Sequence, residues 1–228
     1  GSNPGPRISA ASNVGSNIEC HSLVSELENR SRQTPWIVVR CVPRQFVEYE
    51  LLGWPPDGPK LRLDYERFSY AGKFVMTNTG KAVARSADGE IVAAVAFNED
   101  RTDADTLWLR YVTVDRDRRG EGIGPILCRD VRDRARERGY ERLRIAVNNP
   151  FAYEALYRAG FAYTGETTGI AELILEYPTP DDDTGWTDRD RYQAGLEEFR
   201  DRDLSDDETA FLDTRRDNEP PDRETRDE

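Results

Sequence analysis

The period of the apolar positions along this chain changes from two to nearly four and back, and each change marks an element. Leu107, Leu109 and Tyr111 alternate in one phase, Val112 and Val114 in the other. This predicts a strand whose in/out register slips by one residue near Tyr111, as a β-bulge requires. Residues 143–147 read as a neighbouring strand. Between them, Leu127, Val131 and Ala135 stand at i, i+4 and i+8 opposite a charged face carrying the pairs Arg129–Asp133 and Asp130–Arg134. That pattern predicts a helix over 125–138, opened by Pro125 and stopped by Gly139. Ala152, Ala155, Leu156 and Ala159 give a second apolar helical face, which ends at Gly160.

Upstream, residues 36–42 read as a first strand, 44–52 as a short helix after Pro43, and 61–74 as an aromatic-rich second helix. Residues 81–85 and 90–97 flank Asp88-Gly89, a hairpin signal. Residues 171–177 supply a late strand. Alternating strands and helices over this length suit one domain with appendages.

Residues 1–34 are rich in Ser, Asn and Gly and read as a flexible leader or an added segment, ahead of a domain over 35–178. The chain of 228 residues has a net charge of −12. Residues 179–228 hold 19 acids against 8 arginines, so the acidity is almost all in this tail. The tail reads as disordered, with a docked helix through Tyr192, Leu196 and Phe199 as the sharper alternative. Only Lys60, Lys73 and Lys81 are lysines. The Arg-rich, acidic balance fits a salt-loving microbe as well as it fits GC-rich coding.

Composition also excludes chemistry. Cys20, Cys41 and Cys128 show no paired spacing, so neither a disulfide framework nor a zinc site is indicated, and Cys128 should pack on the 125–138 helix. The one histidine, His21, lies in the leader, which argues against a histidine-based triad or metal centre. No basic stripe with interleaved aromatics points to nucleic acid, and no segment approaches the apolar length of a membrane span. A soluble, cytoplasmic protein, monomer or homodimer, is expected.

The chemistry concentrates after the slipped strand, in Arg118-Arg119-Gly120-Glu121-Gly122-Ile123-Gly124. A strand, a glycine-rich turn and a helix start form a phosphate cradle: glycines admit the anion, N–H groups point at it, and the helix dipole favours negative charge. No Lys-Ser or Lys-Thr follows, so this is not a P-loop, and Pro125 stands where a dinucleotide fingerprint wants Gly or Ala. The remaining pattern, R-x-x-G-x-G over Arg119, Gly122 and Gly124, resembles the pyrophosphate loop of the GNAT superfamily of N-acetyltransferases. Asn149 to Phe161 is similar to its second signature, N-x-x-A-x-x-x-x-Y-x-x-G-F.

The resemblance implies an α+β / α/β acyl-CoA N-acyltransferase fold: a mixed central sheet, flanked by helices, whose bulged fourth strand splays from its parallel neighbour. It implies acetyl-CoA as co-substrate, held by the backbone of Val112 and Val114, by Arg118, Arg119, Gly120, Gly122, Ile123 and Gly124, and by Asn149, with no metal. Tyr157 takes the position of the proton donor to the leaving sulfur, with Tyr153 as fallback. Asp105 and Glu99, with Asp103 beside them, are the candidate bases. The acceptor is a primary amine of a small molecule, peptide or protein N-terminus, with Trp54, Tyr65, Phe68 and Tyr70 as candidate pocket walls. Transfer in a ternary complex is the leading reading. A non-catalytic acyl-CoA sensor or partner-docking module is the alternative, and a donor of longer acyl groups would use the same cradle.

Overall fold

The computed structural model describes residues 46–180 and 185–222. The leader, the 36–42 strand, Cys20, Cys41 and His21 lie outside them. One seven-stranded sheet runs in the order β1 (Val47–Gly53), β2 (Gly80–Ser86), β3 (Ile91–Glu99), β4 (Thr106–Val114), β5 (Arg142–Val147), β7 (Leu173–Tyr177) and β6 (Ala162–Thr167). Among the described residues only β4 and β5 pair in parallel, joined over the sheet by α1 (Ile123–Glu137). A parallel pair needs such a crossover. The helices α2 (Pro150–Arg158), α3 (Asp188–Arg200) and α4 (Asp206–Asp213) follow.

The helix-covered face holds most of the core. Leu107, Leu109, Leu143, Ile145, Leu173 and Leu175 meet Leu127, Val131 and Ala135 of α1, with Tyr153 and Leu156 of α2. Cys128 packs here as expected, and burial pushes its thiol up to about 12. Gly124 lets α1 start hard against β4, since a Cβ there would sit 3.2 Å from the Val114 side chain.

On the other face, Leu61 and Phe74 cover Val83, Ala94 and Ala96. Residues 61–74 do this as a loop with a single short 3-10 turn at Ala71–Lys73, not as the expected helix. Leu61 is buried, Arg62 exposed and Leu63 half-buried, an alternation that suits a segment lying flat on a sheet. The fully buried Lys81 anchors the far end of this loop. Its Nζ donates to Met76 O (2.6 Å), Thr79 O (3.0 Å) and Thr79 Oγ1 (2.9 Å), while burial lowers its pKa.

Two further expectations are corrected. The 44–52 helix is strand β1, because Val47, Tyr49 and Leu51 turn to the core while Glu48 and Glu50 face solvent. The tail is folded over residues 188–213: Tyr192, Leu196, Phe199 and Leu212 are buried against the domain. Its acids mislead as a disorder signal because many sit in the first turns of α3 and α4, where helix dipoles favour them. Capping boxes, Thr187 with Asp190 and Ser205 with Glu208, start both helices.

Candidate active site

The site begins where β4 leaves β5. Ala96 pairs with Tyr111 and Phe97 with Leu109, so Arg110 is the extra residue of a bulge, one position from the predicted slip. The parallel ladder joins Thr106–Leu109 to Arg142–Ile145 and stops there. Ala146 and Val147 continue only along β7. Residues 110–114 therefore present backbone toward β5 with no strand to meet it. Val112 and Val114 pack toward the helix-covered core, whereas Tyr111 faces the opposite cluster. Thr113 Oγ1 is buried without a hydrogen-bond partner.

The cradle closes the open end of this gap. Asp115 ends β4 and accepts from Asp117 N at 3.1 Å, while Arg67 donates to it from Nε (2.8 Å) and Nη2 (2.6 Å). Burial opposes charge on Asp115, but these hydrogen bonds outweigh it and hold the carboxyl below its usual range. Gly120 and Gly122 then adopt φ of 82° and 80°, the left-handed region that favours glycine. Helix α1 begins directly afterwards with no side-chain cap and no acid in its first turn. Its leading N–H groups and dipole are thus offered to an anion rather than to a side chain. The two cradle guanidinia are turned elsewhere: Arg118 Nε to Glu121 (2.8 Å) and Arg119 Nη2 to Ser69 Oγ (3.0 Å). Backbone, more than arginine, shapes this cradle.

Several predicted residues are not brought to the gap. Asn149 is spent on α2, accepting from Ala152 N at 2.9 Å as its N-cap. Tyr157 is also engaged within the fold. Its hydroxyl accepts from Tyr163 N on β6 (3.0 Å) and lies 3.2 Å from the Tyr153 hydroxyl. Leu109, Ile145, Leu175 and Tyr163 are paired in a row across the sheet, so Tyr163 lies two strands beyond β5. At about 4.8 Å per strand the Tyr163 backbone that the hydroxyl binds is roughly 10 Å along the sheet from β5. Tyr192 of α3 covers Tyr157, and burial pushes that hydroxyl up to about 12. Tyr153 fares no better, since its hydroxyl donates to Tyr192 O at 3.1 Å.

The three candidate bases gather at the start of β4. Glu99 accepts from the Tyr140 hydroxyl at 2.7 Å, Asp103 binds Thr106 Oγ1 and Arg142, and the Asp105 carbonyl accepts from Glu141 N and Arg142 N. Here β4 and β5 are still joined. Trp54 also lies apart, stacked on Tyr140 at 6.2 Å on the helix-covered side. The other wall residues do converge: Tyr65, Phe68 and Tyr70 line a groove of about 500 Å³ with Lys73 and Arg116. Sequence reasoning missed these two cations, whose signal was their position beside the aromatic run and the cradle. Among the described residues no cluster of three or more metal-ligating side chains occurs, and no helix is long and apolar enough to cross a membrane.

A family model described as Acetyltransferase (GNAT) family matches residues 44–161. No curated protein matches the chain. Among solved structures, it is similar to a nourseothricin acetyltransferase, with 20% identity over 59% of this chain and 99% of that one at a TM-score of 0.42. It is similar to an IAA acetyltransferase from Bacillus cereus, with 20% identity over 57% and 98% at 0.44. A PaiA N-acetyltransferase from Thermoplasma acidophilum in complex with coenzyme A shares 19% over 42% and 58% at 0.37. At these scores the likenesses carry no argument about chemistry or substrate.

Proposed function

This chain belongs to the acetyltransferase (GNAT) family, and from that premise we propose that it moves an acetyl group from acetyl-CoA directly to a primary amine while both are bound. The observation that carries this reading is the second half of β4, open on its β5 side, running straight into an uncapped helix start. These features fit the coenzyme. The glycine turn and the first N–H groups of α1 suit a pyrophosphate, and the free edge of residues 110–114 suits an amide-bearing pantetheine chain.

Edge N–H groups near Val112 and Val114 polarise the thioester carbonyl, stabilising the charge that develops on its oxygen. The neutral amine attacks, the C–N bond forms, and the C–S bond breaks with its electron pair on sulfur. The proton given up by nitrogen neutralises the thiolate, directly or through water. With Tyr157 and the three carboxylates directed elsewhere, acid and base both reside in the reactants. The chain's contribution is placement and electrostatics, which alone supply large rate factors.

The test is incubation of the purified protein with acetyl-CoA and a panel of amines, peptides and protein N-termini, with products followed by mass spectrometry. Acetylated amine is the expected result. Bound but unconsumed acetyl-CoA across the panel would overturn the reading in favour of a sensing module.

A further inference from the structure

The groove of Tyr65, Phe68 and Tyr70 touches the open half of β4. The Tyr70 ring lies 5.9 Å from that of Tyr111, and Lys73 Nζ lies 5.9 Å from the same ring. Tyr111 is the residue just past the bulge, where β5 has already departed. A molecule in the groove is therefore beside the edge that would polarise a thioester.

The walls state what kind of molecule that is. Phe68 is buried beneath, while Tyr65 and Tyr70 are 76% and 51% exposed, an unusual outlay of aromatic surface. The charged lining is purely cationic. Some arginines elsewhere pair with acids, as in Arg67–Asp115, Arg134–Asp130 and Arg144–Glu176, and others, such as Arg62, Arg101 and Arg129, do not among the described residues. Neither the Lys73 ammonium nor the Arg116 guanidinium makes an ion pair or side-chain hydrogen bond among the described residues; the ammonium rests over the Tyr111 ring. Two exposed cations without acidic partners thus face one groove, in a chain of net charge −12. The acids beside Tyr65 are occupied, Asp64 accepting from Glu66 N (2.8 Å) and Glu66 from the Tyr65 hydroxyl (3.4 Å), and of the two that flank Arg116, Asp115 is held by Arg67. A volume of about 500 Å³ suits a small molecule.

Resting on the transferase reading above, we infer that the acceptor is a small amine carrying an aromatic or apolar group and a carboxylate. Lys73 and Arg116 hold the carboxylate, Tyr65, Phe68 and Tyr70 enclose the apolar group, and the amine points to the edge of β4. The pair sets specificity: an otherwise identical amide leaves two cations without their anion and loses affinity.

Binding of acetylated products isolates the carboxylate, because product nitrogen does not titrate. Calorimetry on the full chain loaded with coenzyme A would compare N-acetyl-phenylalanine with its carboxamide. The acid is expected to bind at least tenfold more tightly. In Lys73→Gln/Arg116→Gln the difference should shrink to within twofold, with coenzyme A affinity unchanged. Equal binding of acid and amide, no binding of either, or variants that weaken coenzyme A instead would overturn the inference, the last by assigning the cations to coenzyme phosphate. Failure here is separable from failure of the transferase reading: amine panels that yield product without carboxylate preference sink only this inference, whereas a carboxylate preference in binding without any turnover sinks only the other.

Discussion

Helices α1 and α2 both start beside the same sheet, yet they treat their first turns in opposite ways. Asn149 closes the start of α2 with its own side chain, Pro150 removes one more donor, and the tyrosines of α2 are bonded to β6 and α3. At α1 two left-handed glycines lead in, no side chain caps, and the strand before it has parted from β5. One region has spent its hydrogen-bonding capacity on itself; the other holds it in reserve. Unspent donors beside a gap are what a substrate can use, and spent ones are what keep a wall in place.

The comparison can be broken most forcefully from the closed side. Ending the chain at residue 180 would uncover the sites of Tyr192, Leu196, Phe199 and Leu212, each worth roughly 1.5–3 kcal/mol of burial. The sum rivals the whole stability of a typical domain, so circular dichroism melting should show no cooperative transition. A truncated chain that melts as the full one does would make the tail an ornament. On the open side, Gly122→Asp sets a carboxylate against the pyrophosphate at a left-handed position, and calorimetry should find coenzyme A affinity reduced on the order of 100-fold, about 2.7 kcal/mol. Unaltered affinity would remove the cradle from the site.

Acid sharpens the contrast. Glu154 is buried, which disfavours its charge, but Arg215 (2.8 Å) and Arg158 (3.0 Å) more than offset this and lower its pKa. A depressed carboxylate stabilises the fold above its unfolded value of about 4.3, and that contribution is lost as pH falls further through the folded value. Melting temperature should thus drop steeply below about pH 4, and Glu154→Gln should flatten that slope. The smallest effect expected is that of Tyr157→Phe. It leaves Tyr163 N without its acceptor, costing about 1–3 kcal/mol of stability, with kcat within about twofold of the parent. A kcat loss of 100-fold or more would return Tyr157 to catalysis.

The sequence made the open region legible because its signals are local. The phase slip between Tyr111 and Val112 foretells the bulge, Gly120 and Gly122 foretell the left-handed turn, and Asp88-Gly89 foretells the hairpin of β2 and β3. The bonding of Tyr157 and the folding of the tail escaped the sequence for one reason. Helical spacing puts Tyr153 and Tyr157 on one face, and their rings do lie 4.9 Å apart, but spacing is silent about what that face meets. It meets α3, whose Gly195 leaves room for the Tyr153 hydroxyl at a place where a Cβ would come within 2.0 Å. Glu99, Asp103 and Asp105 fail for a similar reason. Proximity to β4 in sequence does not tell which end of the strand is joined to β5.

The loop that walls the groove is stitched to the cradle at consecutive points: the Arg67 carbonyl to Arg116 N, its guanidinium to Asp115, and Ser69 to Arg119. An anion that draws Arg119 away from Ser69 therefore tugs at the residue between Phe68 and Tyr70. Donor and acceptor would then sense each other through a shared seam, and thermodynamic reciprocity makes the influence mutual: whatever factor one exerts on the other's affinity is returned in full.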